Sequence, residues 1–395
     1  MTTRETESAL FFNTYKRLPL DIERGEGVYL IDRNGGRYLD MFAGIAVNAL
    51  GYNHPAVNAA ITQQMGRYLH LSNMFSQDAQ IRLAERLIRE SGYARLFFTN
   101  SGTEAMEGSL KLARRWGRSR GKTNIFGLSN SFHGRTFGSM SVTGRDKYRE
   151  GYEPFLPNTC ILGFNDVDEL RRNVNASTLA VVLEFIQGEG GIHLVSDDYV
   201  AALADLRETH GFLIIADEIQ SGIGRTGKLF GFNHFPVAPD VVVLAKAIGG
   251  GLPLGGFLGS ERVADVFSPG SHGTTFGGNP VACAAGLATL HEILDNGVQE
   301  NAASVGTYLK GRFEELQQRF PEHIAEVRGK GLMLGVDLKF DGSGIVEQLL
   351  ESRVLVNLTS GTVLRWLPPL ILKKTEADAA VTALTDILAS TRENA

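Results

Sequence analysis

Only two cysteines occur in the 395 residues, Cys160 and Cys283. Two thiols cannot build a disulfide framework, and their scarcity fits a reducing cytosol. Neither charge predominates: 39 Lys and Arg stand against 44 Asp and Glu, a formal net charge of −5. That balance lacks the basic footprint of a nucleic-acid binder or of a protein held to anionic membranes. Long apolar runs are missing as well. The longest, such as Val241 to Ala245, fall far short of the ~18–20 residues of a spanning helix. The opening MTTRETESAL is polar and has no leader-like apolar stretch, so a cytoplasmic location is expected. Internal repeats, low-complexity tracts, H-E-x-x-H, G-x-S-x-G and Cys/His metal spacings are all lacking. No metal is expected.

Glycine is what the chain has in excess, 46 residues or about 12%, where ~7% is usual. Hydrophobic residues make up 43%, enough for a substantial core, which excludes disorder as the main state. Through the middle of the chain, short apolar runs alternate with amphipathic stretches. Leu96 to Phe98, Ile125 to Leu128, Leu179 to Leu183, Phe212 to Ala216 and Val241 to Ala245 read as strands buried on both faces. Helical patterns run from Glu104 through Ala113 and from Asp198 to His210. This alternation predicts an α/β domain with a largely parallel sheet.

After about Ala285 come two long helical patterns, short strands at Gly331 to Leu338 and Val363 to Leu367, and a closing helix, Thr375 to Leu388. The expected division is an N-terminal segment over 1–45, a large domain over 46–285 and a small α+β domain over 286–395. The N-terminal segment carries a hairpin pattern, Val28 to Asp32 and Arg37 to Leu39 around Asn34-Gly35-Gly36, and is too short for a core of its own.

In an open α/β sheet, ligands bind at the carboxyl ends of the strands. Polar and ionisable residues follow each apolar run here. The first leads into Asn100-Ser101-Gly102-Thr103-Glu104, and the second into Ser131-Phe132-His133-Gly134-Arg135. The third ends at Glu184 ahead of Gln187-Gly188-Glu189, the fourth at Asp217, and the fifth at Lys246 before a triple glycine. A lysine is ordinarily a surface residue. One at the floor of a cleft is partly desolvated, its amine becomes nucleophilic, and such lysines form Schiff bases with carbonyl compounds. Asp217 alone reads as a cap or loop carboxylate, but beside such a lysine it suits the pyridine nitrogen of pyridoxal phosphate. Ser101-Gly102-Thr103 at a helix N-terminus suits a phosphate while also capping the helix, and Phe132 suits the face of a flat ring. The formal G-x-G-x-x-G at Gly222 to Gly227 is a decoy, since four residues separate it from its strand and no helix pattern follows.

Six ordered motifs carry a family resemblance: Asn100 to Ala105, Ser131 to Thr136, Ile186 to Gly191, Asp217 to Gly222, Leu244 to Lys246 and Gly273 to Pro280. With them the chain resembles the class-III aminotransferases from Tyr15 to Pro369. The resemblance implies a fold-type-I aminotransferase, with a large mostly parallel-sheet domain and a smaller α+β domain, using pyridoxal phosphate. It implies that Lys246 carries the cofactor and shuttles a proton, that Asp217 pairs with the ring nitrogen, and that Gln220 neighbours the ring hydroxyl. Ser101, Gly102 and Thr103 take the phosphate, and Phe132 the ring face. Thr275 would reach the phosphate of the other subunit of a homodimer, with Thr274 facing substrate. Arg135 and Arg365 would bind carboxylates, and Glu189 would pair with Arg365 while the amino donor is bound. Segments 44–51, 70–73 and 364–370 most resemble the members acting on N2-acetylornithine with 2-oxoglutarate, in arginine biosynthesis. Other ω-amines (ornithine, succinylornithine, 4-aminobutyrate, succinyl-diaminopimelate) and a glutamate-1-semialdehyde-type aminomutase are the alternatives. Phe185 stands where the family usually has proline. Ala43-Gly44-Ile45 lacks the tyrosine of ornithine-specific relatives, which leaves Tyr15 for donor contacts.

Overall fold

The computed structural model describes residues 3–393. In chain order its strands are β1 (Ile22–Glu26), β2 (Tyr29–Asp32), β3 (Arg37–Asp40), β4 (Arg95–Thr99), β5 (Asn124–Leu128) and β6 (Thr159–Leu162). Next come β7 (Thr178–Leu183), β8 (Ile186–Gln187), β9 (His193–Leu194), β10 (Leu213–Asp217), β11 (Val241–Leu244) and β12 (Gly255–Gly259). The C-terminal part adds β13 (Ile324–Lys330), β14 (Met333–Leu338), β15 (Val354–Leu355), β16 (Asn357–Thr359) and β17 (Val363–Trp366).

A seven-stranded sheet in the order β4-β12-β11-β10-β7-β5-β6 forms the centre. β12 alone runs antiparallel to its neighbours. Strands β7, β10 and β11 are buried at every position. Alternate residues of β10 show why these runs are continuously apolar. Leu213 and Ile215 join a cluster with Ala105, Met106 and Ala113 of the helix Gly102–Arg118. Ile214 and Ala216 join the other face, with Tyr199 and Leu203 of the helix Asp197–His210. A parallel sheet sandwiched by helices needs apolar side chains on both sides.

One expectation is corrected, and one strand is added. The run Leu96 to Phe98 lies in β4, the edge strand, whose residues from Leu96 to Phe98 are only half-buried. Its apolar residues mark an edge rather than the middle of the sheet. β12 escapes a propensity reading because glycine disfavours strands. Here it is required, since a Cβ at Gly255 would lie 2.5 Å from the Ser101 carbonyl oxygen.

A second, antiparallel sheet of β13-β14-β17-β16 packs on the helix Val298–Arg319, with Phe313 against Trp366 at 4.9 Å between ring centroids. The β1–β3 ribbon is extended by β15, which pairs in parallel with β3 and ties the N-terminal hairpin to the C-terminal segment. Among the described residues no helix is long and apolar enough to cross a membrane.

Candidate active site

The carboxyl ends of β4, β5, β7, β10 and β11 open together into a cleft of about 470 Å³. Asp217 is the last residue of β10, and Lys246 lies two residues beyond β11. Lys246 holds a left-handed backbone, φ +53°. Side chains with a Cβ rarely adopt that conformation, and such strain gathers at functional positions. The loop after β4 ends at Ser101, whose hydroxyl oxygen accepts the Glu104 N–H at 3.3 Å and so caps the helix Gly102–Arg118. Gly102 and Thr103, the first residues of that helix, line the cleft at the positive end of the helix dipole. Gly134 (φ +132°) brings the loop after β5 against Thr103, where a Cβ would lie 2.3 Å from Oγ1.

Burial lowers the Lys246 amine from its ordinary 10.5 to about 8. The nearby Arg365 charge adds to that shift, while Glu189, Asp217 and Glu184 oppose it. Asp217 is 3% exposed and held by two donors, Ile219 N–H to Oδ1 at 3.0 Å and His133 Nδ1 to Oδ2 at 2.7 Å. His133 Nε2 is buried without a partner among the described residues. Glu184 accepts the Phe132 N–H and the Gly188 N–H, each at 3.0 Å. Burial, reinforced by Asp217, pushes its carboxyl up to about 7 against the pull of His133 and the two N–H groups.

Arg365 enters from β17 and is 1% exposed. Its Nη1 donates to Glu189 Oε1 at 2.6 Å and to Gln220 Oε1 at 3.2 Å. Nε and Nη2 donate to Asn357 Oδ1 at 3.0 and 2.5 Å. Burial works to raise the Glu189 carboxyl, but the Arg365 charge and hydrogen bond, with Lys246 and Arg145 beyond, hold it below its ordinary range. This is a buried ion pair, not one of the weak pairs of a protein surface.

Ser101, Gly102, Thr103, Phe132, Arg135, Asp217, Gln220 and Lys246 all line the one cleft, with Glu189 and Arg365 joined to it through Gln220. Thr274 stands just behind, its Oγ1 accepting from Asn100 Nδ2 at 3.4 Å. Thr275 is exposed and not on the cleft wall. Tyr15 is 71% exposed, has Arg17 over its ring at 5.0 Å, and is not brought to this cleft. Four further residues have roles that the sequence reading did not assign. Ile219 adds an apolar wall, His133 supports Asp217, Glu184 ties two loops, and Asn357 pins Arg365. His133 and Glu184 stand after apolar runs in the sequence, but nothing there names their partners, and Asn357 pairs with Arg365 across the β16–β17 hairpin. Phe185, in place of the usual proline, is fully buried and meets Phe232 and Phe235 with tilted rings, 6.2 and 5.4 Å between centroids.

The family described as Aminotransferase class-III matches residues 11–388. An acetylornithine aminotransferase of Caldanaerobacter subterraneus is 44% identical over 98% of this chain and 99% of its own. That of Aquifex aeolicus is 42% identical over 95% and 99%. The chain belongs to the class-III aminotransferases. Among solved structures, an amine transaminase from an uncultivated Pseudomonas species, in its PLP-bound form, aligns with a TM-score of 0.89 at 30% identity, over 96% of this chain and 98% of that one. The fold is thus that of the fold-type-I aminotransferases, and the enzyme is pyridoxal-phosphate dependent.

The donor set of this aminotransferase fits pyridoxal phosphate. A nucleophilic amine, a buried carboxylate, an aromatic face and a helix N-terminus converge on one cleft. When bound, the cofactor supplies an aldehyde for amine attack and a ring that accepts an electron pair. Only the uncharged amine of Lys246 has a lone pair to attack with, so a lowered pKa enlarges the reactive fraction at neutral pH. Uptake of pyridoxal phosphate by the cofactor-free protein should therefore rise about tenfold per pH unit below 7 and level off above about 8. Rapid-mixing absorbance across pH 6–10 measures this. A rate still climbing at pH 10 would show an ordinary lysine.

Proposed function

We propose that this aminotransferase moves the terminal amino group of N2-acetylornithine to 2-oxoglutarate, forming N-acetylglutamate 5-semialdehyde and glutamate, a step of arginine biosynthesis. The observation that carries the reading is the pair of guanidiniums at the cleft, Arg135 exposed at its mouth and Arg365 buried beneath the Glu189 carboxylate. An enzyme that alternates between a donor and a dicarboxylate in one site needs a second cation that can be covered and uncovered. Each guanidinium matches a carboxylate with two parallel hydrogen bonds. Acetylornithine aminotransferases at 42–44% identity over nearly the whole chain support this donor.

In this reading Lys246 Nζ moves the proton on and off the substrate carbon, and Asp217 keeps the ring nitrogen protonated. Ser101, Gly102 and Thr103 take the phosphate, Phe132 packs on the ring, and Gln220 stands by the ring hydroxyl. Arg135 holds the donor's distal carboxylate. Arg365, released by Glu189, holds the α-carboxylate of the keto acid. We also propose a cytoplasmic homodimer that shares its sites, with Thr275 reaching the other subunit's phosphate, Thr274 facing substrate and Tyr15 near the donor. Its support is the exposed apolar surface of Met74, Phe75 and Phe276 around Thr275, since patches of this kind mark interaction sites.

The test is an absorbance spectrum of the purified enzyme, before and after N-acetylornithine is added without keto acid. The visible band should bleach and return on adding 2-oxoglutarate. A coloured protein that ignores N-acetylornithine would send the assignment to another ω-amine. A donor reaction that never needs 2-oxoglutarate would favour an aminomutase.

A further inference from the structure

Arg135 has an unusual environment for a cation. Among the described residues no carboxylate lies within 4.0 Å of it, nor of Arg145 or Lys147 nearby. Its guanidinium carbon instead sits 4.3 Å from the ring centroid of Tyr148 and 5.6 Å from that of Phe132. Tyr148 belongs to a single turn, Asp146–Tyr148, and its ring meets Phe132 edge-on at 5.1 Å and 69°. The same ring carries Lys147 at 4.9 Å and Arg145 at 5.6 Å. Three cations thus share one aromatic ring, and none of them has an ion pair within 4.0 Å among the described residues.

We propose that Tyr148 is a positioning and specificity-determining residue: its ring holds Arg135 in place for an incoming carboxylate. This rests on the reading of Arg135 as a carboxylate binder. The physical logic is a choice between two ways of fixing a guanidinium. An acidic partner would orient Arg135, but every substrate carboxylate would then have to displace it. An aromatic face orients the planar group through its quadrupole and leaves the N–H edges and the full charge open. Lys147 and Arg145 raise the local positive potential further, so the mouth of the cleft favours anions and doubly charged acids most.

The segment also reaches the second carboxylate site. Arg145 Nη1 donates to the carbonyl oxygen of Glu189, which Thr359 Oγ1 meets at 2.5 Å. The backbone that carries the Arg365 cover is therefore fastened to the turn that carries Tyr148. Nothing in this arrangement uses the Tyr148 hydroxyl, which has no hydrogen-bond partner among the described residues. The ring should be what matters.

The test compares Tyr148→Leu and Tyr148→Phe with the unchanged holoenzyme. One readout is steady-state kinetics with 2-oxoglutarate. The other is calorimetric titration with glutarate, a dicarboxylate that cannot accept an amino group. Tyr148→Leu should raise KM for 2-oxoglutarate and Kd for glutarate about tenfold, with kcat within about threefold. Tyr148→Phe should stay within about twofold of the original on both. Should Tyr148→Leu fail to fold, Tyr148→Met removes the ring at similar length and carries the same expectation. Glutarate bound equally by the Leu and Tyr proteins would overturn the proposal, as would a Phe variant as weak as Leu. If the unchanged enzyme neither binds glutarate nor uses 2-oxoglutarate, the carboxylate reading of Arg135 itself fails, which is a different result.

Discussion

Lys246→Ala is expected to lower turnover at least ~10⁴-fold while leaving the protein folded. General acid–base catalysis alone contributes typically ~10²–10⁴, and on the proposed role of Lys246 this substitution removes the nucleophile as well as the proton carrier. Stability should change by less than ~1 kcal/mol. Among the described residues Nζ makes no hydrogen bond, and burial already disfavours its charged form. Alanine inherits the same left-handed backbone at φ +53°, so no new strain is added. The visible absorbance of the lysine-linked cofactor should vanish, although on the proposed roles Ser101, Gly102, Thr103 and Asp217 still hold pyridoxal phosphate. Single-turnover kinetics and a thermal melt, run side by side, separate these effects. A variant that turns over within tenfold of the original would remove Lys246 from the mechanism.

That lysine was legible in the sequence because of where it stands. A parallel sheet places all its carboxyl ends on one side, so the residue after each apolar run projects toward the same cleft. Asp217, Lys246 and the Ser101-Gly102-Thr103 turn were found this way. What escaped were contacts without a local pattern. His133 meets Asp217 across 84 residues, and Glu184 meets Phe132 across 52. The rule that a buried polar atom has a partner says such a contact exists, but not with whom. The glycine-rich stretch Ser221 to Gly227, set aside in the sequence as a decoy, has a packing role instead. Arg225 within it is buried and donates to the carbonyl oxygens of Leu332 and Pro368. It fastens the loop after β10 to the segment three residues beyond Arg365. Its work is structural, and burial lowers its own pKa to about 9.

Asp217→Asn isolates charge from shape, and here rate and stability should part company. Asparagine keeps an acceptor oxygen for the Ile219 N–H, which now bonds Oδ1 at 3.0 Å. The second contact, His133 Nδ1 at 2.7 Å from Oδ2, also survives if the imidazole changes tautomer and accepts from the new amide. That change sacrifices nothing elsewhere, because His133 Nε2 has no partner among the described residues. The stability loss should therefore sit at the low end of the ~1–3 kcal/mol expected for a disturbed buried hydrogen bond. The rate is another matter. A neutral amide cannot hold a proton on the ring nitrogen, and losing one partner of a buried charge pair costs ~2–5 kcal/mol. A fall of about 10³-fold in the half-reaction with N-acetylornithine follows, equivalent to ~4 kcal/mol. Stopped-flow absorbance gives the rate, and the melting temperature gives the stability. If both fell together, Asp217 would be a packing residue for His133. If the rate alone falls, its charge is what the buried site was built to hold.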